Sequence, residues 1–162
     1  MATGIIIFLI SMMVLGSIVW IKPSKRERRM AEFRAQAMSA GLKVRLDGVE
    51  AEPVHSGIRE DIPGASYILF VQKPDKKDKT NWMVVSDEGW MQDGLPQGWS
   101  WHTKEAETNL WAKISALIET APIPIIAIER TPAYSRIVWQ ESPVAFNAEE
   151  LKQYLQTVQA TF

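Results

Sequence analysis

The chain has 162 residues, with 18 Lys+Arg against 19 Asp+Glu and no cysteine. The missing cysteine excludes disulfides, thiolate metal ligands and cysteine nucleophiles. Charge is unevenly placed: residues 1–29 hold five basic side chains and one acid, and the rest holds 13 basic and 18 acidic ones, so the larger part lacks the basic excess of a nucleic-acid-binding surface.

Residues 2–21 carry no charged side chain. A helix of that length spans roughly 30 Å, the hydrocarbon thickness of a bilayer, so the run predicts one transmembrane helix with the lipid bilayer as its partner. Nothing basic precedes it, and Trp20-Ile21-Lys22-Pro23 follows in place of a small-residue cleavage site, which favours a retained anchor over a signal peptide. Lys22, Lys25, Arg26, Arg28 and Arg29 all flank its C-terminal side. The positive-inside rule then places the N-terminus outside and the remainder in the cytoplasm, at a bacterial inner membrane, with those five residues at the membrane surface.

Ser24-Lys25-Arg26-Glu27 reads as a capping box, and Met30, Phe33 and Ala37 continue at helical spacing toward Gly41. A basic juxtamembrane helix over 25–40 is predicted. The division is therefore an anchor at 1–23, a basic neck at 24–41 and an α+β domain at 42–162.

In the domain, residues 42–49 begin with apolar–polar alternation and predict a strand, and 50–64 read as a loop. Two apolar runs at 67–72 and 81–86 flank a charged turn, Asp75-Lys76-Lys77-Asp78-Lys79, and are expected to pair as a hairpin. Residues 87–102 are rich in Gly, Pro and Trp. Leu110, Trp111, Ile114, Leu117 and Ile118 form a helical stripe within 104–120, with Glu105 and Glu107 in its first turn. Strands at 125–129 and 136–140 suggest a second hairpin. Asn147 caps a last helix bearing Leu151, Tyr154, Leu155 and Val158. The fold expected is α+β: a small antiparallel sheet of about five strands with two helices packed on it.

No catalytic constellation is visible. His55 and His102 both fall in predicted loops; a metal site joining them to Asp61 or Asp87 lacks ligand spacing, and solvated histidines are the simpler reading. No phosphate loop, dinucleotide fingerprint or nucleophile elbow occurs. No catalytic, cofactor-binding or metal residue is predicted, and the chain does not read as an enzyme. Tryptophan is the unusual feature: seven occur, with Trp82, Trp90, Trp99 and Trp101 within 20 residues. Such rings either close a small core or anchor a partner. Trp90, Trp99 and Trp101 are the possible partner interface, with Trp99 or Trp101 packing inward and Trp90 the more exposed.

The uncharged start followed by Ile21-Lys22-Pro23-Ser24-Lys25-Arg26-Glu27-Arg28-Arg29 resembles the small bacterial YajC proteins that accompany the Sec translocon. It resembles more closely a group of proteobacterial single-pass membrane proteins sometimes given that translocase label. The resemblance covers residues 1–40 and implies a topology only. The role it points toward is that of an accessory subunit whose cytoplasmic domain binds a membrane-protein partner. The alternative is a membrane-tethered domain that binds a small ligand or a lipid headgroup.

Overall fold

The computed structural model describes residues 4–7, 12–13, 24–103, 105–142 and 147–162. Among them, no helix is long and apolar enough to cross a membrane. This overturns the predicted transmembrane helix at 2–21, and with it the inner-membrane localisation and the outside-to-cytoplasm orientation. A span needs about 20 continuous helical residues, and within that run the described helical pieces are 4–7 and 12–13. The rest of the run, with Trp20, Lys22 and Pro23, lies outside the described residues.

Helix α1 (Lys25–Ser39) opens on the predicted capping box. The Glu27 amide donates to Ser24 Oγ at 3.2 Å, and the Ser24 amide donates to the Glu27 carboxylate at 2.5 Å. It closes through Gly41 at φ 93°. Beyond it the Leu42 amide returns to the Ala37 carbonyl at 3.0 Å, satisfying a carbonyl the helix leaves open. Phe33 and Ala37, four apart and so on one face, are buried.

The sheet consists of β1 (Lys43–Arg45), β2 (Ala65–Phe70), β3 (Trp82–Val85), β4 (Ser100–Trp101), β5 (Ile125–Arg130) and β6 (Tyr134–Trp139). Its order is β1-β2-β6-β5-β3-β4, antiparallel throughout. A 3-10 turn (Thr108–Leu110) leads into α2 (Trp111–Glu119), and α3 (Ala148–Ala160) ends the fold.

Three departures from the sequence reading have physical reasons. The sheet has a sixth strand, β4, too short for two-residue periodicity to reveal. Helix α2 starts seven residues later than predicted, so Glu105 and Glu107 precede it. Most important, β2 and β3 are not a hairpin: the β5–β6 hairpin is inserted between them. Residues 65–68 and 82–85 are buried at every position. A strand hidden on both faces belongs in the sheet interior, with a neighbour on each side. The connection 71–81 therefore arches over the β5–β6 turn. The Val71 amide donates to the Ala133 carbonyl at 2.8 Å, and the Arg130 guanidinium pairs with Asp78 at 2.6 Å and donates to the Thr80 carbonyl at 3.0 Å.

The two faces differ. Tyr67, Ile137, Ile128, Val84 and Trp101 lie in one cross-strand row and, with Trp82 and Trp139, form the main core under the three helices. Phe33 of α1 packs edge-on against Tyr67 and Trp139, with centroids 5.7 and 5.5 Å away. Just past β6, Glu141 adopts a left-handed backbone at φ 49°. It accepts from Tyr67 Oη at 2.6 Å and from Arg34 of α1. The basic neck is thus packed onto the sheet. Among the described residues the opposite face carries no helix; the segment 46–64 roofs it through a second, smaller apolar cluster of Val49, Ile58, Met83, Val85, Ile126, Ala127 and Val138.

Candidate functional site

On the helix-free face, strand alternation brings out a row of polar side chains. Glu129 of β5 and Arg136 of β6 are cross-strand partners and pair at 2.7 Å. Tyr134 Oη also donates to Glu129, at 2.7 Å. Burial and the adjacent carboxylate push the Tyr134 hydroxyl up to about 12, so it stays a donor. Met83 of β3 comes next in the row, and its sulfur lies 3.9 Å from the Arg136 guanidinium.

His102 completes the row, because its amide donates to the Met83 carbonyl at 2.9 Å just past the end of β4. The histidine is 6% exposed, which corrects its reading as a solvated loop residue: β4 carries it inward. Its Nε2 lies 2.8 Å from the Glu50 carbonyl. A carbonyl only accepts, so Nε2 is the donor of this contact. Nδ1 is buried and has no partner.

The roof closes over this row. Val49 and Ile62 exchange backbone hydrogen bonds at 2.8 and 2.9 Å, and Glu52 bridges Ile58. A Cβ at Gly48 would run into the Ile62 carbonyl, so the two limbs close only around glycine. Asp61 accepts from the Ala51 amide at 2.7 Å. Asp47 pairs with Arg45 at 2.8 Å through Oδ2, while its buried Oδ1 has no partner.

Roof and sheet border an open-mouthed pocket of about 470 Å³, within the usual range for small-ligand sites. Its wall carries Asp47, Glu50, Asp61 and Glu129 against Arg45 and Arg136, with Met83, His102 and Thr103. The lining offers charge and hydrogen bonds but no assembled nucleophile and base. Among the described residues, no group of three or more His, Cys, Asp or Glu could hold a metal ion. Of the metal candidates weighed from sequence, Asp61 and His102 line the cavity; His55 and Asp87 do not.

The other sequence candidates fall elsewhere. Lys25, Arg26, Arg28 and Arg29 are exposed on the first turns of α1, and Lys22 lies outside the described residues. The three tryptophans do not share a surface. Trp101 is fully buried, and its Nε1 donates to the Asp93 carbonyl at 3.0 Å. Trp99 is half-buried against the main core. Trp90 is 67% exposed, with its ring over Gly57 of the roof and its amide on the Ser56 carbonyl at 2.7 Å.

Sequence reasoning missed Glu129 and Arg136. The available signal was a charged side chain set inside each apolar strand, Ile128-Glu129 and Arg136-Ile137, which marks a face that is neither open surface nor core. Comparison with protein-family models, curated proteins and solved structures found no match.

Proposed function

We propose that this chain is a non-catalytic binding domain whose helix-free sheet face receives a small polar ligand under the 46–64 roof. One observation carries the reading: a pocket of ligand size under the roof, walled by the charged side chains of Arg45, Asp47, Glu50, Asp61, Glu129 and Arg136. The test is a fragment screen by two-dimensional amide NMR on the full chain. Shifts should cluster at Asp47, Asp61, His102 and Arg136. A screen in which no fragment perturbs that set would overturn the reading.

A protein partner seated on the same roof is the second reading. Trp90, at 67% exposure, and Val54, at 71%, favour it, since large apolar side chains held in water are candidate anchors. Trp90→Ala should then leave the fold unchanged and weaken the partner by on the order of 2 kcal/mol.

A further inference from the structure

We propose that α1 is a latched element: it leaves the sheet as one unit, hinged at Gly41 and caught by the Arg34–Glu141 ion pair, and its release loosens β1 while the rest of the sheet stays folded. The latch does not depend on what the pocket holds. The grip of α1 is narrow. It packs on β1 and α3, yet of its 15 residues only Phe33 and Ala37 are buried. Residues 25–29 are all exposed. Four of them, Lys25, Arg26, Arg28 and Arg29, are cations in no ion pair among the described residues, at the helix end where the dipole disfavours positive charge. What remains is a polar catch: the Glu141 carboxylate accepts twice from Arg34 and once from Tyr67 Oη. An element held by so few buried apolar side chains opens more often than the whole fold does.

A second observation is the backbone at the catch. Glu141 is the one non-glycine residue at positive φ among the described residues, at 49°. Such a conformation persists only where its surroundings over-determine it. The carboxylate is bonded from α1 and from β2, so part of that constraint goes when Arg34 leaves. Docked and released are then two distinct states. At the other end, Gly41 sits at φ 93° with open space where a Cβ would stand, so the chain can swing there without displacing a neighbour. β1 begins two residues on. It is a three-residue edge strand with β2 as its sheet neighbour. Its Val44 pairs with Tyr67, the residue that also donates to the catch. Losing α1 therefore leaves β1 with its three cross-strand pairs to β2, and Arg45 of the pocket wall is at its end.

Native-state hydrogen exchange of the full chain over a urea series tests the latch. The amides of β1, and of α1 beyond its first turn, should exchange roughly tenfold or more faster than those of Ile128 and Ile137, with a weaker urea dependence because less surface opens. Arg34→Met and Glu141→Gln break the catch from either side, and each should speed α1 and β1 exchange roughly tenfold further at neutral pH. In the unaltered chain the same speeding should follow acidification, after correction for the intrinsic rate, because protonating Glu141 breaks the pair. Arg34 and Tyr67, with Arg26 and Glu27 on the adjoining pocket wall, are the ionisable groups around it. Glu141→Gln should lack that acid response. Exchange of α1 at the rate and urea slope of Ile128 overturns the proposal. So do variants that leave α1 exchange unchanged, or an acid response that survives in Glu141→Gln. Fast exchange in α1 with β1 as slow as Ile128 overturns the coupling to β1.

Discussion

Arg34 of α1 and Glu141 just beyond β6 stand 107 residues apart and form a two-pronged ion pair, with Arg34 Nε donating to Oε1 at 2.8 Å and its terminal nitrogen to Oε2. Tyr67 Oη donates to the same carboxylate at 2.6 Å. Burial alone would push this carboxyl up. The Arg34 and Tyr67 hydrogen bonds and the Arg34 charge more than offset it and hold Glu141 below its ordinary value. A carboxyl depressed on folding stabilises above its unfolded range of about 4.3 and loses that contribution as pH falls. Glu141→Gln should cost about 1–3 kcal/mol near neutrality, with the loss shrinking in acid. Urea midpoints at several pH values check it; a loss independent of pH would contradict it.

The same helix makes a prediction about truncation. Phe33 covers Tyr67 and Trp139, so residues 42–162 without α1 would expose two large rings. Phe33→Ala should cost roughly 3–5 kcal/mol, and the fragment 42–162 should melt well below 24–162. Equal melting temperatures would show α1 to be an appendage.

Asp78 gives a second acid-sensitive contact. The hydrogen bond from Arg130 holds its carboxyl at about 2, against an opposing burial effect. The folded value is depressed, so its contribution is complete above about pH 4 and drains away as pH falls toward 2. Arg130 is 2% exposed, and breaking the pair leaves its charge uncompensated. Asp78→Asn should cost about 2 kcal/mol at pH 7 and little at the acid end. Chemical denaturation across that range reads the difference.

Two tryptophans should respond in opposite ways. Trp101→Ala removes a fully buried ring and should cost about 3–5 kcal/mol. Trp90→Ala changes a side chain 67% exposed and should stay within about 0.5 kcal/mol. Comparable destabilisation by both would mean that Trp90 is covered in solution.

The roof should open by itself. Its anchors Val49 and Ile58 belong to the smaller cluster, apart from the helix-covered core. Ile58→Ala should therefore speed hydrogen exchange at the Val49 and Ile62 amides while slow exchange persists at Tyr67 and Ile128. Uniform acceleration would show one cooperative unit.

What the sequence reveals is local. The Ser24 and Asn147 caps, the apolar stripes of α2 and α3 and the β5–β6 hairpin follow from short-range spacing, and each is present. Pairing is long-range, and spacing does not encode it. The apolar runs at 67–72 and 81–86 indicate strands, but not that residues 125–139 come between them. The cavity was illegible for the same reason: its wall joins residues 45, 47–50, 61–63, 83, 102–103, 129 and 136. The uncharged run at 2–21 shows the opposite failure: composition predicts a membrane span, and among the described residues no helix is long and apolar enough to make one.

The arch over the β5–β6 turn bears on synthesis at the ribosome. β2 pairs with β6 from Ala65↔Trp139 to Phe70↔Tyr134, and β3 pairs with β5. A nascent chain that has emerged as far as Val85 holds two apolar strands whose main partners are not yet made; β2 has only the three residues of β1 beside it. Strands waiting on distant partners fold slowly and leave sticky edges open meanwhile. The connection 71–81, with its run of five charged side chains at 75–79, spans the gap that the β5–β6 hairpin fills last.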